Sequence, residues 1–440
     1  MLVFLIIGCL STAAHAQEMQ VFEEYGVGPR DSAMGSAFVG VADDFSAAFY
    51  NPAGLAQVEG LHATFGYKLI LPKVTLKIPG YSADYFTDYP YTNFGLVGLA
   101  TDLNVPSIVN PKYTAMFNFG MAFGISDFIH SYTNYYEQYT PYFFRYQDRP
   151  VALLPLYLAL SVKPLDWFSF GGGLVMAPST TYMDCRVRTD IYLPEGNSVA
   201  SQGLVNRAYS LIEPLAGIMF RIPLAGMSDR LRVGLVWRDE VQVLDGKGPA
   251  LNKIYVHLPG TDKTLSPIPP MNVPVVTLSG FTPMQAALGI AYKPTDGLLL
   301  ATDTVWKRWS TWLNYFLVRP DPPFHDTVEQ HVGLEQRFFT DEAWLEYWAL
   351  RAGWYYQPKP TPSENNEWNI LDNNTHVMST GFGLRLDEIL GVIKTPVNFD
   401  ANFQLHYLVP ETIANTEDRY PPLKTGGLAY SGTVAFELAW

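Results

Sequence analysis

The chain has 440 residues, 48% of them hydrophobic, and a formal net charge of −13, which argues against nucleic acid as a partner. Charged residues make up 16% and aromatic residues 14% of the chain, whereas soluble domains are about 25% charged. After residue 16, no apolar run reaches the roughly eighteen residues that a membrane-spanning helix needs. This composition favours a β-barrel as the way for the chain to sit in a membrane.

Residues 1–16, MLVFLIIGCLSTAAHA, predict a cleaved secretory signal, because an apolar run ends in the small-x-small pattern Ala14-His15-Ala16. The usual positive n-region is missing, which suggests a clipped or misassigned start codon. Residues 6–9 also resemble a lipoprotein box, although few residues precede it. Cleavage after Ala16 removes Cys9 and leaves only Cys185, so we expect neither an intrachain disulfide nor a cysteine-based metal site.

Residues 17–60 are rich in glycine, alanine and short polar residues and do not alternate as strands do. Pro52 has a fixed φ and no N–H donor, and it pushes the preceding Asn51 into an extended conformation. The motif Asn51-Pro52-Ala53-Gly54 therefore predicts a rigid, non-helical corner. Because small residues suit backbone packing in a narrow lumen, we predict that 17–60 forms a plug inside a barrel.

The apolar residues of this segment argue against the alternative, which is a flexible periplasmic extension. They are also candidates for the wall of a hydrophobic binding pocket: Phe38, Val39, Phe45, Phe49 and Tyr50. The two acidic residues Asp43 and Asp44 are expected to pair with inward-facing arginines, such as Arg232, Arg351 or Arg385.

Residues 61–440 predict the barrel itself, because membrane strands of about ten residues alternate between apolar and polar or small side chains. In 397–408, the odd-numbered residues are apolar and the even-numbered residues from 398 to 406 are polar. A soluble sandwich also alternates, but the export signal and the number of such strands disfavour it. The predicted strands are 61–71, 92–100, 113–124, 151–163, 167–178, 205–222, 230–244, 284–293, 297–310, 329–339, 346–357, 375–386, 397–408 and the segment that ends at Trp440.

The connections support this assignment of fourteen strands, an even number as bacterial barrels require. The connections predicted to face outside are all at least as long as 358–374, whereas none of the inside turns is longer than 101–112. The chain ends a strand on Trp440, and barrel-assembly machinery commonly reads such a terminal aromatic residue. We therefore expect Trp440 to be the assembly signal.

Two aromatic clusters lie in the predicted outside connections. One comprises Tyr132, Tyr135, Tyr136, Tyr139, Tyr142, Phe143 and Phe144, and the other comprises Trp309, Trp312, Tyr315 and Phe316. Either cluster suits an apolar landing groove for a hydrophobic ligand or the aromatic girdle at a membrane interface. We assign the first cluster to ligand binding, with Tyr135, Tyr139 and Phe143 as candidate residues, and the second to the girdle.

The sequence contains no motif of a hydrolase, nucleotide-binding or metalloprotease site. His406 faces the predicted lumen beside Asp400 and Gln404, where it is either a hydrogen-bonded lumen histidine or the partner of a serine, as in outer-membrane phospholipases. We favour the first reading. We therefore expect no catalytic residue, no metal and no cofactor.

The sequence resembles the FadL family of long-chain fatty acid transporters and their hydrocarbon-importing relatives. Asn51-Pro52-Ala53-Gly54-Leu55 carries most of the resemblance. It continues in Gly35, Ala42-Asp43-Asp44, Ser46-Ala47, Pro283-Met284-Gln285-Ala286-Ala287-Leu288-Gly289, Asp303, Trp309-Ser310, Leu350-Arg351-Ala352-Gly353-Trp354-Tyr355 and Gly381-Phe382-Gly383. PorV-like barrels of a protein-secretion system share the Asn-Pro-Ala motif, so the motif indicates the superfamily better than the cargo.

The resemblance implies ligand capture at the outside loops, transfer to a pocket beside the plug, and lateral exit through a gap near the third strand. In this chain the third strand is 113–124, where Gly120 and Gly124 would weaken pairing and are candidate gate residues. The sequence thus predicts an all-β, fourteen-stranded antiparallel transmembrane barrel of the bacterial outer membrane that takes up hydrophobic small molecules. The alternative is a PorV-like scaffold for protein secretion that transports no small molecule.

The expected partners follow from this assignment. They are a hydrophobic ligand, outer-membrane lipid with its lipopolysaccharide, and the barrel-assembly machinery. We expect the protein to be a monomer.

Overall fold

The computed structural model describes residues 21–77, 84–86, 92–106, 114–126, 143–144, 156–181, 191–193, 196–198, 200–201, 207–224, 227–242, 247–252, 255–257, 264–265, 271–276, 281–313, 319, 321–365, 370–387, 395–415 and 423–440. No helix in these ranges is long and apolar enough to cross a membrane. The predicted signal, residues 1–16, lies outside them, as do Tyr135 and Tyr139.

Fourteen antiparallel strands form the barrel. In chain order they are β1 (Leu61–Lys77), β2 (Thr92–Pro106), β3 (Thr114–Ser126), β4 (Leu156–Leu165), β5 (Phe168–Thr181), β6 (Arg207–Leu224), β7 (Met227–Arg238), β8 (Met284–Tyr292), β9 (Leu298–Arg308), β10 (Thr327–Phe339), β11 (Leu345–Gln357), β12 (Thr375–Leu386), β13 (Val397–Asn415) and β14 (Leu423–Ala439).

The barrel is closed, because each strand pairs with the next in the chain and β1 pairs with both β2 and β14. Closure leaves no edge strand, so every strand satisfies its backbone groups in the ladder. The predicted number and order of strands are confirmed. β13 extends to Asn415, beyond the predicted end at residue 408, because its pairing with β14 continues past the lipid-facing alternation.

The two faces of the strands differ as predicted. In β13, the side chain of Phe403 is 48% exposed on the outer surface, whereas Gln404 is fully buried. In β14, Phe436 is 54% exposed and Thr433 is buried. Apolar side chains therefore cover the outer surface, where lipid removes them from water, and polar side chains line the lumen.

Further short strands lie in the connections between the barrel strands. They are Asp84–Phe86, Phe143–Phe144, Ile191–Leu193, Gly196–Ser198, Ala200–Ser201, Val241–Gln242, Lys247–Asn252, Tyr255–His257, Thr264–Leu265, Met271–Val276, Phe281–Thr282, Glu364–Asn365 and Ile370–Leu371. Phe143–Phe144 pairs in parallel with Ile370–Leu371, so the β3–β4 connection meets the β11–β12 connection.

The chain before the barrel forms short helices: α1 (Val21–Tyr25), α2 (Pro29–Ala33), α3 (Ala47–Tyr50) and a 3-10 helix (Pro52–Gln57). A second 3-10 helix, Trp309–Thr311, follows β9. We call residues 21–58 the N-terminal segment. Its apolar side chains, from Tyr25 to Val58, form one hydrophobic cluster with inward-facing residues of the barrel strands.

The barrel encloses the N-terminal segment so closely that several inward positions admit only glycine. A Cβ atom on Gly353 would lie 2.0 Å from the backbone nitrogen of Gly35, and one on Gly289 would lie 2.5 Å from that of Gly40. Nine strands approach the segment in this way, through Gly98, Gly120, Gly171, Gly217, Gly234, Gly289, Gly333, Gly353 and Gly381. The segment therefore fills the lumen at its own level.

Candidate functional site

The Asn51 corner has the extended backbone that a residue before proline favours, with φ −160° and ψ 103°. The buried Asn51 amide nitrogen donates to the carbonyl oxygens of Val39 (3.0 Å) and Ile218 (3.3 Å). Its oxygen accepts from the backbone nitrogen of Ala53 at 3.1 Å. Asn51 thus joins two parts of the N-terminal segment to each other and to β6. Gly54 packs against Ala42: a Cβ atom on Gly54 would lie 2.1 Å from the carbonyl oxygen of Ala42.

The turn around Val39 is also held from the opposite side. The buried carboxylate of Asp303, on β9, accepts from the Val39 backbone nitrogen at 2.8 Å. Next to it, the Ser379 hydroxyl donates to the Ala33 carbonyl at 2.8 Å and accepts from the Gly35 nitrogen at 3.0 Å. These contacts fix the middle of the segment against β9 and β12.

A network of ion pairs ties the segment to the barrel near the inside turns. Arg30 pairs with Asp43 and, at 2.9 Å, with Glu335 of β10. Asp43 lies 3.8 Å from Arg232, so its predicted pairing with that arginine is observed. The other two predicted arginines pair elsewhere, Arg351 with Glu335 and Asp400, and Arg385 with Glu346.

The two adjacent acidic residues of the segment differ in pKa. Burial would raise the pKa of Asp43, but the charges of Arg30, Arg232 and Lys293 outweigh it and hold that pKa well below the ordinary value. Burial raises the pKa of Asp44 to about 7; attraction by Arg30 opposes this shift, and the neighbouring carboxylates add to it. Asp44 accepts two hydrogen bonds from Ser46, at 2.8 Å and 2.6 Å.

The candidate pocket residues of the segment are all buried. Phe49 and Tyr50 meet edge to face at 4.8 Å, and Phe49 makes a similar contact with Tyr157 of β4 at 5.1 Å. Phe38 joins them, with its ring 5.5 Å from that of Tyr50. Phe45 lies apart, against Gly98 of β2. Of the loop candidates, only the backbone of Phe143 is described.

A cavity of about 50 Å³ lies between the segment and strands β7 to β10. Val39, Phe49 and Tyr50 line it together with Glu23, Ser36, Val236, Arg238, Gln285, Ala287, Asp303, Val305, Glu329 and His331. A cavity of this size holds a few waters at about 10–15 Å³ each, whereas a benzene-sized ligand fits an apolar cavity of about 150 Å³. A hydrophobic ligand therefore needs the wall of the cavity to move.

Buried ion pairs connect α1 to the wall of this cavity. Arg238 of β7 pairs with Glu23, and its guanidinium lies 4.0 Å above the Phe49 ring. The ammonium of Lys307, on β9, is 3.2 Å from Glu23 and 3.1 Å from Glu329 of β10. Sequence reasoning missed this cluster, although the strand alternation gives Arg238, Lys307 and Glu329 the inward parity.

The predicted gate residues lie in a strand that is paired on both sides. Gly120 of β3 is opposite Ala100 of β2 and Ala159 of β4. A Cβ at Gly120 would lie 2.5 Å from the Leu55 side chain, so this glycine receives the 3-10 helix of the segment. Gly124 also pairs with β2, but it lies in the part of β3 that follows the described pairing with β4. The barrel wall is therefore closed at Gly120.

Trp309 and Trp312 of the second aromatic cluster are not in the membrane girdle, whereas Tyr315 and Phe316 lie outside the described residues. Trp309 is 1% and Trp312 is 3% exposed. Trp309 packs against Phe281 and Trp312 against Phe324, with ring centroids 5.7 Å and 4.5 Å apart. The expected girdle position is wrong for these two residues, because the 3-10 helix after β9 turns their rings onto protein.

Two further predicted positions are described. Trp440 is 59% exposed, and its backbone pairs with Leu61 at 2.9 Å and 3.0 Å. His406 is buried, with its ring centroid 4.8 Å from that of Tyr25. Neither ring nitrogen of His406 has a hydrogen-bond partner among the described residues, so the expectation of a hydrogen-bonded lumen histidine is wrong. The nearby Ser431 hydroxyl donates to Gln404 and does not form the serine–histidine pair of a phospholipase. The described ranges hold no group of three residues suited to binding a metal ion.

Solved structures with the same fold include the following three. The toluene transporter TodX of Pseudomonas putida matches with a TM-score of 0.60 at 12% identity, over 94% of this chain and 99% of that chain. A FadL homologue of Pseudomonas aeruginosa matches with a TM-score of 0.53 at 17% identity, over 94% and 96%. The CymD monoaromatic hydrocarbon channel matches with a TM-score of 0.50 at 15% identity, over 94% and 97%.

Identities this low show a shared fold alone. No curated protein matches the sequence. The family described as outer membrane protein transport protein (OMPP1/FadL/TodX) matches residues 7–419, which include the N-terminal segment and strands β1 to β13. The predicted resemblance to FadL and the predicted outer-membrane location are confirmed. The chain belongs to the OMPP1/FadL/TodX family and is an integral β-barrel of the bacterial outer membrane that serves as a channel for hydrophobic compounds.

Proposed function

We propose that this protein imports hydrophobic small molecules through a lumen that the N-terminal segment closes, and that the segment must shift for each ligand to pass. The observation that carries the proposal is the close packing of the segment against the inner wall of the barrel. The segment meets nine strands at glycine, and the cavity beside Phe49 and Tyr50 is only about 50 Å³. The names of the matched relatives, a toluene transporter and a monoaromatic hydrocarbon channel, support a hydrophobic cargo.

We further propose that the ligand leaves sideways between β3 and β4. Two ion pairs join the segment to the barrel near the inside turns, Arg30 with Glu335 and Asp43 with Arg232. They oppose an axial route, because moving the segment out of that end would separate these buried charges. The wall near Leu55 contains small inward residues, Gly120, Ala159 and Gly171. Withdrawal of Leu55 from Gly120 would leave space there, and this withdrawal is the proposed opening step.

A reversible crosslink tests whether Leu55 must withdraw. In a chain with Cys185→Ser, the substitutions Leu55→Cys and Gly120→Cys should form a disulfide, since Leu55 Cγ lies 3.2 Å from the Cβ position of Gly120. Uptake of a radiolabelled alkylbenzene by whole cells should be lost in the oxidised variant and return on reduction. The reduced variant is its own matched control. Equal uptake in both states would contradict the lateral route, and a non-transporting scaffold would show no uptake in either state.

A further inference from the structure

Carboxylates outnumber cations in the buried cluster beside the cavity. The cations are Arg238, which is 4% exposed, and Lys307, which is fully buried. Glu23 contacts both cations, and Glu329 contacts Lys307. Glu213 of β6, which is 3% exposed, lies two residues before Leu215, the strand partner of Arg238, and its charge attracts Arg238. Three carboxylates therefore surround two basic side chains.

The groups next to this cluster do not reverse the balance. Asp303 adds a further carboxylate, which is engaged by the backbone nitrogen of Val39. His331 lies 3.6 Å from Glu329 and contributes positive charge only when it is protonated. A ligand carboxylate that entered the cavity would find both cations already paired. It would add negative charge where little water screens it, and burial of an uncompensated charge is strongly unfavourable.

Withdrawal of α1 would leave the cluster balanced. Glu23 is on the N-terminal segment, whereas Arg238, Lys307, Glu213 and Glu329 are on barrel strands. Without Glu23, Arg238 keeps Glu213 and Lys307 keeps Glu329, so each cation retains one carboxylate. The buried charges of the opened wall are then balanced without a charged group on the ligand.

From this balance we infer that the site beside Phe49 and Tyr50 selects uncharged hydrophobic molecules over carboxylates, and that Glu23 determines this preference. The inference rests on the proposed function, since it names the ligand class of the proposed pocket. Glu23 acts on the ligand through charge: while it occupies Arg238 and Lys307, it excludes a second carboxylate. An uncharged ligand of the same length meets no such opposition, because it contacts the apolar side of the cavity.

Binding of two probes of equal chain length, 1-dodecanol and dodecanoate, tests the inference on the purified full chain in detergent. At about pH 8 a carboxylate of ordinary pKa is ionised, so the probes differ in charge at one end. The wild-type protein should bind dodecanol at least about tenfold more tightly than dodecanoate. Glu23→Gln should raise the affinity for dodecanoate by about fivefold or more and leave that for dodecanol within about twofold.

Glu59→Gln is the matched control, because Glu59 is exposed directly after the N-terminal segment and the substitution removes the same charge. It should leave both affinities unchanged. Equal or tighter binding of dodecanoate by the wild type would overturn the inference while leaving the proposed function intact. An unchanged or lower affinity of Glu23→Gln for dodecanoate would also overturn it. Failure of every variant to bind either probe would overturn both the inference and the proposed function.

Discussion

Replacing Asn51 with alanine removes the three hydrogen bonds that hold the corner of the N-terminal segment. The backbone nitrogen of Ala53 and the carbonyl of Val39 lose their partner in a buried site, and an unsatisfied buried group costs about 1–3 kcal/mol. Docking of the corner should therefore weaken by about 3 kcal/mol, which corresponds to a shift of about a hundredfold in a docking equilibrium. The ion pairs of Arg30 with Glu335 and of Asp43 with Arg232 remain, so the segment should stay in the lumen.

The expected result of Asn51→Ala is a loss of ligand uptake by about tenfold or more with little change in ion conductance. Uptake falls because Val39, which lines the cavity, loses its support, and conductance stays low because the lumen remains occupied. Hydrogen exchange of the Val39 and Ala53 amides reports the docking directly and should become faster. Asn374→Ala, the same truncation in the β11–β12 connection, is the control. Unchanged exchange and uptake in Asn51→Ala would refute the reasoning.

Three further predictions concern topology, assembly and pH. After Cys185→Ser, Asn365→Cys should react with an impermeant thiol reagent on intact cells and Asp296→Cys should not; labelling of the latter would invert the barrel. Deleting Trp440 should strongly reduce the yield of heat-modifiable folded protein, and a normal yield would remove its role as the assembly signal. The pKa of Asp44 is raised from 3.8 to about 7, so the wild type should lose stability as the pH rises through this window and remain at the lower value above it. Asp44→Asn should therefore raise the free energy of unfolding, and with it the melting temperature, by up to about 3 kcal/mol more at about pH 8 than at about pH 5; an equal gain at both pH values would contradict this.

The strands were predictable because each carries its own evidence in a period of two. In β13, the alternation of Phe403 with Gln404 predicts which side chain faces lipid, and this prediction does not depend on the rest of the chain. The long outside connections and short inside turns then predicted the direction of the barrel across the membrane. An even number of antiparallel strands lets β14 pair with β1 in the antiparallel direction. The prediction of the barrel therefore required no knowledge of contacts between distant residues.

The contacts inside the lumen were not predictable in the same way. Gly120 was predicted to weaken strand pairing, but a glycine in a strand also permits a close approach, and here it receives Leu55. The sequence contains no signal that relates residue 55 to residue 120. In the sequence, Glu23, Arg238 and Lys307 look like ordinary polar residues. Their pairing depends on how the N-terminal segment folds back into the barrel.

The central claim is that the N-terminal segment closes the lumen and forms half of the ligand site. Deleting residues 17–56 tests it most directly, since all fourteen strands lie downstream and the barrel should still insert. Single-channel conductance of the deletion variant in planar bilayers, measured beside cellular uptake of a radiolabelled alkylbenzene, gives the result. We predict that conductance rises, because polar side chains such as Asn402 then line an open channel, and that uptake falls, because Phe49 and Tyr50 are lost. If neither conductance nor uptake changed, the segment would be no gate and the proposed transport mechanism would be wrong.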